Sequence, residues 1–139
     1  MLQEERIVTT TCPYCGVGCQ MDLHLRGEQI FRVEGRFDNR VNFGNLCVKG
    51  RFGYDFIYAP DRLDAPLMRD ARSSDFEPTN WPAALKHVAG RMMDLRAKHG
   101  PDSLAFLTSA KCTNEENYLM QKLARAVVGT NNIDHCARL

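Results

Sequence analysis

Apolar and polar side chains alternate with the two-residue period of β-strands in the first part of the chain. Residues 21–26 and 29–34 follow this alternation, and residues 6–10 form a shorter, β-branched run. The dipeptide Gly27-Glu28 joins the two alternating runs, and a glycine in its first position favours a type II′ turn. The pattern therefore predicts one short strand followed by a β-hairpin.

Two stretches without periodicity separate the hairpin from the rest of the chain. Residues 35–53 are rich in Gly, Asn and Arg and are predicted to form a long irregular loop. Loops of this length without regular structure are usually functional or tethered to a metal. Residues 58–78 are rich in Pro and in charged side chains and are predicted to be a connector.

A helical period begins after this connector. Asn80 is the predicted N-cap, Pro82 falls in the first turn, and Gly100-Pro101 is the predicted stop. The predicted apolar face of the helix consists of Leu85, Val88, Ala89, Met92 and Leu95.

A strand and a second helix follow. Residues 103–108 are predicted to be a buried strand, and Thr113 begins a capping-box pattern with Glu116. The second helix is predicted to end at Gly129, and residues 130–139 are predicted to be another loop and strand. Its predicted apolar face consists of Tyr118, Leu119, Leu123, Ala126 and Val127. This order is the start of an α/β unit, whose sheet is expected to be incomplete.

Composition and charge limit the partners and the location. The 139 residues carry a formal net charge of +1 without a run of Lys or Arg, so binding to nucleic acid is not expected. No apolar stretch approaches the roughly 20 residues that span a bilayer. The start of the chain has neither an apolar signal core nor a twin arginine, so a cytoplasmic location is predicted.

Four of the six cysteines have a spacing typical of an electron-transfer centre. Cys12, Cys15, Cys19 and Cys47 follow the pattern C-x2-C-x3-C-x27-C. Three thiolates on one glycine-containing loop cannot all pair with each other as disulfides. They can instead bind one soft metal centre, with Cys47 as its fourth ligand. We therefore predict a [4Fe–4S] cluster bound by these four residues.

Three other interpretations of the cysteines remain open. Structural zinc is the strongest, although zinc ligands usually come as two separate C-x2-C pairs. A disulfide framework would need an oxidising compartment, and buried inert thiols would not cluster three within eight positions.

Four motifs give the chain a resemblance to a known family. It resembles the amino-terminal part of molybdenum- or tungsten-bis(pterin guanine dinucleotide) oxidoreductases, and in particular the catalytic (alpha) subunit of formate dehydrogenase. The motifs are Cys-Pro-Tyr-Cys-Gly-Val-Gly-Cys at 12–19, Leu-Cys-Val-Lys-Gly at 46–50, Ser-Ala-Lys-Cys-Thr-Asn-Glu-Glu-Asn-Tyr at 109–118 and Thr-Asn-Asn-Ile-Asp-His-Cys-Ala-Arg-Leu at 130–139.

The resemblance implies a mixed fold of the α+β and α/β classes. A small β-rich [4Fe–4S] domain is expected over residues 1–60, followed over residues 61–139 by the truncated beginning of an α/β molybdopterin-binding region. The implied reaction is oxidation of formate to carbon dioxide at the molybdenum or tungsten centre. The implied partner is an electron-acceptor protein or subunit with Fe–S clusters. No residue present matches a formate base or a molybdenum ligand, so these 139 residues alone are expected to be inactive.

The resemblance also assigns roles to individual residues. Lys49 is implied to lie between the cluster and the pterin as an electron relay, where a fixed cation would raise the potential of an anionic cluster. Ser109, Lys111 and Asn114 are implied to border the pterin cofactor, and Lys111 is a candidate partner for its pyrophosphate. Three further residues are expected outside the ligand set: Cys112 and Cys136 as packed or cofactor-lining thiols, and His135 as a hydrogen-bonded loop residue rather than a base.

The terminus suggests a further hypothesis. In formate dehydrogenases the residue after an Ala-Arg-Leu segment is the metal-ligating cysteine or selenocysteine. Leu139 is the last residue, and selenocysteine is encoded by UGA, which is otherwise read as a stop. We therefore expect the gene to have been translated only as far as a UGA codon directly after Leu139. The gene sequence after the Leu139 codon tests this expectation.

Three alternative functions follow from the same sequence. A nitrate reductase of the same family shares the cysteine loop, but the segment at residues 134–139 favours formate dehydrogenase. A standalone Fe–S electron-transfer module would need a closed sheet, which the predicted α/β segment lacks. A zinc-stabilised interaction domain is the third, and the visible absorbance of iron–sulfur centres distinguishes it.

Overall fold

A three-stranded antiparallel sheet forms the first part of the protein, whose computed structural model describes residues 4–136. Strands β1 (Glu5–Thr11), β2 (Gln20–Arg26) and β3 (Gln29–Gly35) lie in the order β1-β2-β3. The predicted strand and hairpin are therefore confirmed. Gly27 has φ of +59° between the paired residues Arg26 and Gln29, as the predicted turn requires.

One face of this sheet carries a small core. Cys12, Met21 and Val33 are buried together, and they contact the partly buried side chains of Tyr14, Cys19, Leu23, Ile30, Leu46 and Tyr54. Met21, Leu23 and Val33 occupy alternate positions on their strands, so the sequence alternation corresponds to burial on one face.

Across the strands, His24 joins two carboxylates. Its Nδ1 lies 3.1 Å from Oε1 of Glu5 on β1, and its Nε2 lies 3.1 Å from Oε2 of Glu34 on β3. The His24 side chain is buried whereas both carboxylates are partly exposed. Imidazole therefore links all three strands through polar contacts, a role that the sequence pattern did not indicate.

The segment predicted to be an irregular loop contains a short helix. Helix α1 (Val48–Phe52) begins directly after Cys47, and a 3-10 turn follows at Asp55–Tyr58. The loop prediction was wrong here because five residues are too few to show a helical period. Tertiary contact stabilises the helix instead, since Gly50 is buried beside Cys12.

The connector holds one minimal sheet. Strands β4 (Leu67–Met68) and β5 (Glu77–Pro78) pair antiparallel over two residues each. Most of the intervening side chains are exposed, as expected for a connector rich in Pro and charge.

The last part is a strand–helix–strand unit preceded by a long helix. Helix α2 (Trp81–His99) begins at Asn80, whose side chain accepts a hydrogen bond from the Ala83 amide, and ends at Gly100 with φ of +82°. Strand β6 (Phe106–Ser109), helix α3 (Asn114–Lys122) and strand β7 (Ile133–Cys136) follow, and β6 and β7 pair in parallel. Residue 103 belongs to a 3-10 turn, so the strand starts three residues later than predicted.

The predicted apolar faces of both helices are largely exposed, which corrects the sequence interpretation. Leu85 and Val88 on α2 are exposed, as are Leu119 and Val127 on and after α3. Strand β6 was expected to be buried, but Leu107 is 82% exposed. Within residues 4–136, two parallel strands supply too little surface to cover these side chains.

The spacing of the apolar residues did not predict how the second helix ends. Residues Leu123–Val128 form a π-helical turn that shifts the buried positions to Ala124 and Val128, and the helix stops at Gly129 in the left-handed region. Thr130 is almost fully buried after this stop. Its hydroxyl donates to Oδ1 of Asp102, 2.8 Å away, which connects the end of the helix to the 3-10 turn that precedes β6.

Two remaining expectations concern the chain ends and membranes. Residues 1–3 and 137–139 lie outside the part of the chain that the structure describes, and Leu139 is among them. Among the helices within residues 4–136, none is long and apolar enough to cross a bilayer.

Candidate metal centre

The loop between β1 and β2 carries the first three cysteines. It begins at Cys12, directly after β1, and ends at Cys19, directly before β2. The Cys12 amide donates to the Cys19 carbonyl oxygen at 2.8 Å, which closes the loop at its base. Gly18 has φ of +77°, a conformation that favours glycine. The strand pairing therefore brings Cys12 and Cys19 together.

The fourth cysteine arrives through an asparagine-rich turn. Asn42 is buried, and its side-chain amide donates to the carbonyl oxygens of Gln20 at 3.1 Å and Asn45 at 2.9 Å. Its Oδ1 accepts from the Gln20 amide at 3.1 Å. Asn42 thus ties this turn to the start of β2, and Cys47 follows as the N-cap of α1. Sequence reasoning missed Asn42, although the local richness in Asn is a usable signal.

All four cysteines line one cavity of about 500 Å³. Lys49 and Gly50 line it as well, together with the apolar side chains of Val17, Val41, Phe43 and Leu46. Cys12 is buried, Cys15 and Cys19 are partly buried, and Cys47 is exposed. In the described part of the chain, no group of three His, Cys, Asp or Glu residues is spaced to hold a single metal ion. What the four thiols share is the lining of this one cavity.

The cavity concentrates ionisable thiols. Burial raises the pKa of Cys19, and the neighbouring Cys12, Cys15 and Cys47 raise it further by charge repulsion. Thiolates are the ligands of soft metals, and a metal centre relieves their mutual repulsion. The donor set therefore fits an iron–sulfur cluster.

Lys49 stands next to an aromatic side chain at this cavity. Its Nζ is 5.8 Å from the centroid of the Tyr14 ring, and the Tyr14 hydroxyl donates to the Gly53 carbonyl oxygen. Burial, together with Cys12, raises the pKa of Tyr14, which keeps its hydroxyl protonated as a donor. The Phe56 ring packs edge-on against Tyr14. The lysine is thereby kept at the rim of the cysteine cavity.

The three residues implied to border the pterin, Ser109, Lys111 and Asn114, make their contacts in different places. Ser109 lines a second cavity of about 520 Å³, and its Oγ accepts from the Lys111 amide at 3.0 Å. Lys111 is exposed, whereas the Asn114 amide donates to the carbonyl oxygen of Gly16 in the cysteine loop. Their roles as cofactor contacts stay predictions.

The second cavity contains a polar group that sequence reasoning missed. Asn117 donates to the carbonyl oxygens of Ser109 and Thr113, but its Oδ1 is buried and has no hydrogen-bond partner among the described residues. Buried acceptors are rarely left unsatisfied, which makes Asn117 an unusual residue in the lining of this cavity.

The other sequence-identified residues lie near β7 and the second cavity. Cys112 is partly buried and lines that cavity, while Cys136 is exposed at the end of β7. His135 lies in β7 rather than in a loop, and its Nδ1 is 3.0 Å from the Cys136 carbonyl oxygen.

Comparison with known proteins identifies the family. Residues 5–59 match the family described as "Molybdopterin oxidoreductase Fe4S4 domain", and residues 62–139 match "Molybdopterin oxidoreductase". The chain belongs to the molybdopterin oxidoreductase family. These two matches support a [4Fe–4S] cluster and a molybdopterin cofactor, and the first agrees with the donor set of the cysteine cavity.

Relatives in the molybdopterin oxidoreductase family match the chain over its whole length. "Probable oxidoreductase YjgC" of Bacillus subtilis (strain 168) is 48% identical over 139 residues, which cover 99% of this chain and 14% of that protein. "Putative formate dehydrogenase SAR2393" of Staphylococcus aureus (strain MRSA252) is 43% identical over the same shares. The chain therefore spans about one seventh of the length of these relatives.

Proposed function

We propose that this chain is the iron–sulfur electron-transfer segment of a formate dehydrogenase. The parent enzyme would oxidise formate to carbon dioxide at a molybdenum- or tungsten-bis(molybdopterin guanine dinucleotide) centre. The observation that carries the proposal is the single cavity lined by four cysteines and Lys49. The relative named as a formate dehydrogenase supports the choice of substrate.

In this proposal Cys12, Cys15, Cys19 and Cys47 bind the [4Fe–4S] cluster. The apolar side chains of Val17, Phe43 and Leu46 line the same cavity as these four residues. When bound, the molybdenum or tungsten centre supplies the two-electron oxidation and the cluster supplies one-electron transfer. Oxidation of formate would release carbon dioxide, one proton and two electrons, and the cluster held by the four cysteines would carry those electrons one at a time.

Lys49 holds a positive charge at the cavity, and we assign it the role of electron relay between pterin and cluster. The Tyr14 ring supports its side chain through a cation–π contact at 5.8 Å. A fixed ammonium stabilises the more negative, reduced state of a neighbouring centre. Lys49 thereby favours transfer of electrons toward the cluster.

Ser109, Lys111 and Asn114 are the proposed cofactor contacts on the α/β side, and of these Ser109 lines the second cavity. The electron acceptor is proposed to be a protein or subunit with its own Fe–S clusters.

The nature of the metal centre is tested by purification without oxygen. We expect a brown protein with a broad absorbance near roughly 400 nm and four irons and four sulfides per chain, because thiolate-bound iron has charge-transfer transitions that d¹⁰ zinc lacks. One bound zinc per chain and no visible absorbance would refute the cluster.

The reaction is tested separately with the full-length protein. We expect formate, but not nitrate, to change the oxidation state of an artificial dye in the presence of the protein. Reduction of nitrate by a reduced dye would instead identify a nitrate reductase of the same family. A protein that contains the cluster but turns over neither substrate would identify an electron-transfer module.

A further inference from the structure

The cysteine loop and helix α3 meet at one polar contact. Asn114 is the first residue of α3, and its Nδ2 donates to the backbone carbonyl oxygen of Gly16 at 2.6 Å. The two residues are 98 positions apart in the chain. The contact therefore connects the sheet that carries the cysteines to the α/β unit.

The contact is closely packed as well as hydrogen-bonded. A Cβ atom placed on Gly16 would lie 2.3 Å from Oδ1 of Asn114 and 3.1 Å from its Cγ. Gly16 does not have a positive φ, unlike Gly18. A side chain at position 16 would therefore displace the Asn114 side chain, whereas the backbone conformation there does not call for glycine.

The Gly16 carbonyl is a second point at which the cysteine loop is held. The first is the hydrogen bond between Cys12 and Cys19 at its base. Gly16 directly follows Cys15 and directly precedes Val17, which lines the cysteine cavity and is 57% exposed. A fixed Gly16 therefore restrains both a proposed ligand and the apolar side chain that covers it.

We infer that Asn114 is a positioning residue for the cluster loop, an inference that rests on the proposed cluster. One amide N–H of Asn114 fixes the Gly16 carbonyl, and this orients Cys15 and keeps Val17 over the cavity. Groups that orient metal ligands and limit solvent tune the stability and the potential of the centre. Asn114 thereby makes the stability and the potential of the cluster depend on where α3 lies relative to the cysteine loop.

The variant Asn114→Asp removes the donor with little change in shape. It places a carboxylate oxygen against the Gly16 carbonyl, while an acidic residue in the first turn is favourable for α3. In the full-length protein, purified without oxygen, we expect the absorbance of the cluster to decay about five- to tenfold faster in an iron chelator. The uncharged variant Asn114→Ala should also have a changed midpoint potential, which a purely structural role in α3 would leave unmoved.

Glu115→Gln is the matched control. Glu115 is the next residue in the same turn and is exposed, so its replacement should leave both the decay rate and the potential at the wild-type values. Far-UV circular dichroism of all variants checks that α3 is intact.

A double substitution tests whether the two residues act through each other. Gly16→Ala alone should accelerate cluster loss, because its methyl group displaces the Asn114 amide. In an Asn114→Ala background that side chain is gone, so the added Gly16→Ala should have no further effect. Independent, additive effects of the two substitutions would overturn the inference.

The outcomes separate this inference from the proposed function. A wild-type protein without an iron–sulfur absorbance would refute both. A wild-type protein with the cluster, whose Asn114→Asp variant decays at the same rate and whose Asn114→Ala variant has the same potential, would refute the positioning role alone.

Discussion

At the scale of single residues, two glycines set the distance between α1 and the cysteine loop. A Cβ on Gly50 would lie 3.3 Å from Sγ of Cys12, and a Cβ on Gly53 would lie 2.7 Å from the Tyr14 hydroxyl oxygen. Neither glycine has a positive φ. A side chain at either position would therefore have to displace its neighbour, Cys12 in the first case and Tyr14 in the second.

The variant Gly50→Ala tests this close approach. The added methyl group should displace Cys12 by a few tenths of an ångström and lower the iron content of the purified protein. Gly90→Ala in the middle of α2 is the control, because a Cβ there meets no atom within 4 Å. That substitution should retain full iron and stabilise the helix by about 0.5–1 kcal/mol. An unchanged iron content in Gly50→Ala would contradict the role assigned to Gly50.

The variant Lys49→Gln tests the relay charge. Removal of the ammonium should lower the midpoint potential of the cluster by an amount on the order of tens of millivolts, because the reduced state loses its neighbouring cation. Lys49→Arg keeps the charge and should stay near the wild-type potential, which redox titration followed by electron paramagnetic resonance measures. Equal potentials in Lys49→Gln and wild type would remove Lys49 from the electron path.

At the scale of elements, the helix ends were the most predictable feature. Asn80 caps α2, and Thr113 and Glu116 form the reciprocal capping box of α3, as expected from their spacing. Caps are local, so the nearest four residues suffice to encode them. The short helix α1 was missed because packing against Cys12, rather than any local signal, stabilises it.

The capping box makes a prediction about stability and pH. Hydrogen bonds from the Thr113 backbone N–H and hydroxyl lower the pKa of Glu116. A carboxylate with a lowered pKa stabilises the fold above its ordinary pKa, and that stability is lost only as the pH falls through the lowered value. Glu116→Ala should therefore cost about 0.5 kcal/mol, reduced by solvent screening, equally at pH 7 and pH 5.

Urea unfolding followed by far-UV circular dichroism measures this difference. Glu115→Ala is its control, because Glu115 is in the same turn and exposed. The loss in Glu116→Ala should shrink as the pH falls below about 4, and a loss that is the same at about pH 3 as at pH 7 would show that the pKa of Glu116 is not lowered.

At the scale of the whole molecule, burial is unevenly distributed. The described part before the connector buries Cys12, Met21, Leu25 and Val33, whereas the described part after it buries the apolar side chains of Ala124 and Val128. The later part relies on polar contacts such as the one between Thr130 and Asp102. Loss of such a contact should therefore affect the α/β unit and leave the cysteine sheet intact.

Thr130→Val tests this separation. The substitution keeps the shape of a side chain that is 1% exposed but removes its hydrogen bond to Asp102, which should destabilise the α/β unit by about 1–2 kcal/mol. Amide exchange in β6 and β7 should become faster, while the rate of cluster loss in an iron chelator should not change. Cluster loss as fast as in Asn114→Asp would show that the two parts are coupled through more than the Asn114 contact.

The sequence by itself determined the features that depend on near neighbours. Alternation encoded the hairpin, short-range polar residues encoded the helix caps, and the spacing of the four cysteines predicted that Cys47 joins the loop of the first three. Only the tertiary structure decided which other groups meet across long separations: Asn42 on Gln20 and Asn114 on Gly16. The physical reason is that periodicity and capping act over a few residues, whereas close packing and side-chain hydrogen bonds depend on how distant segments are brought together.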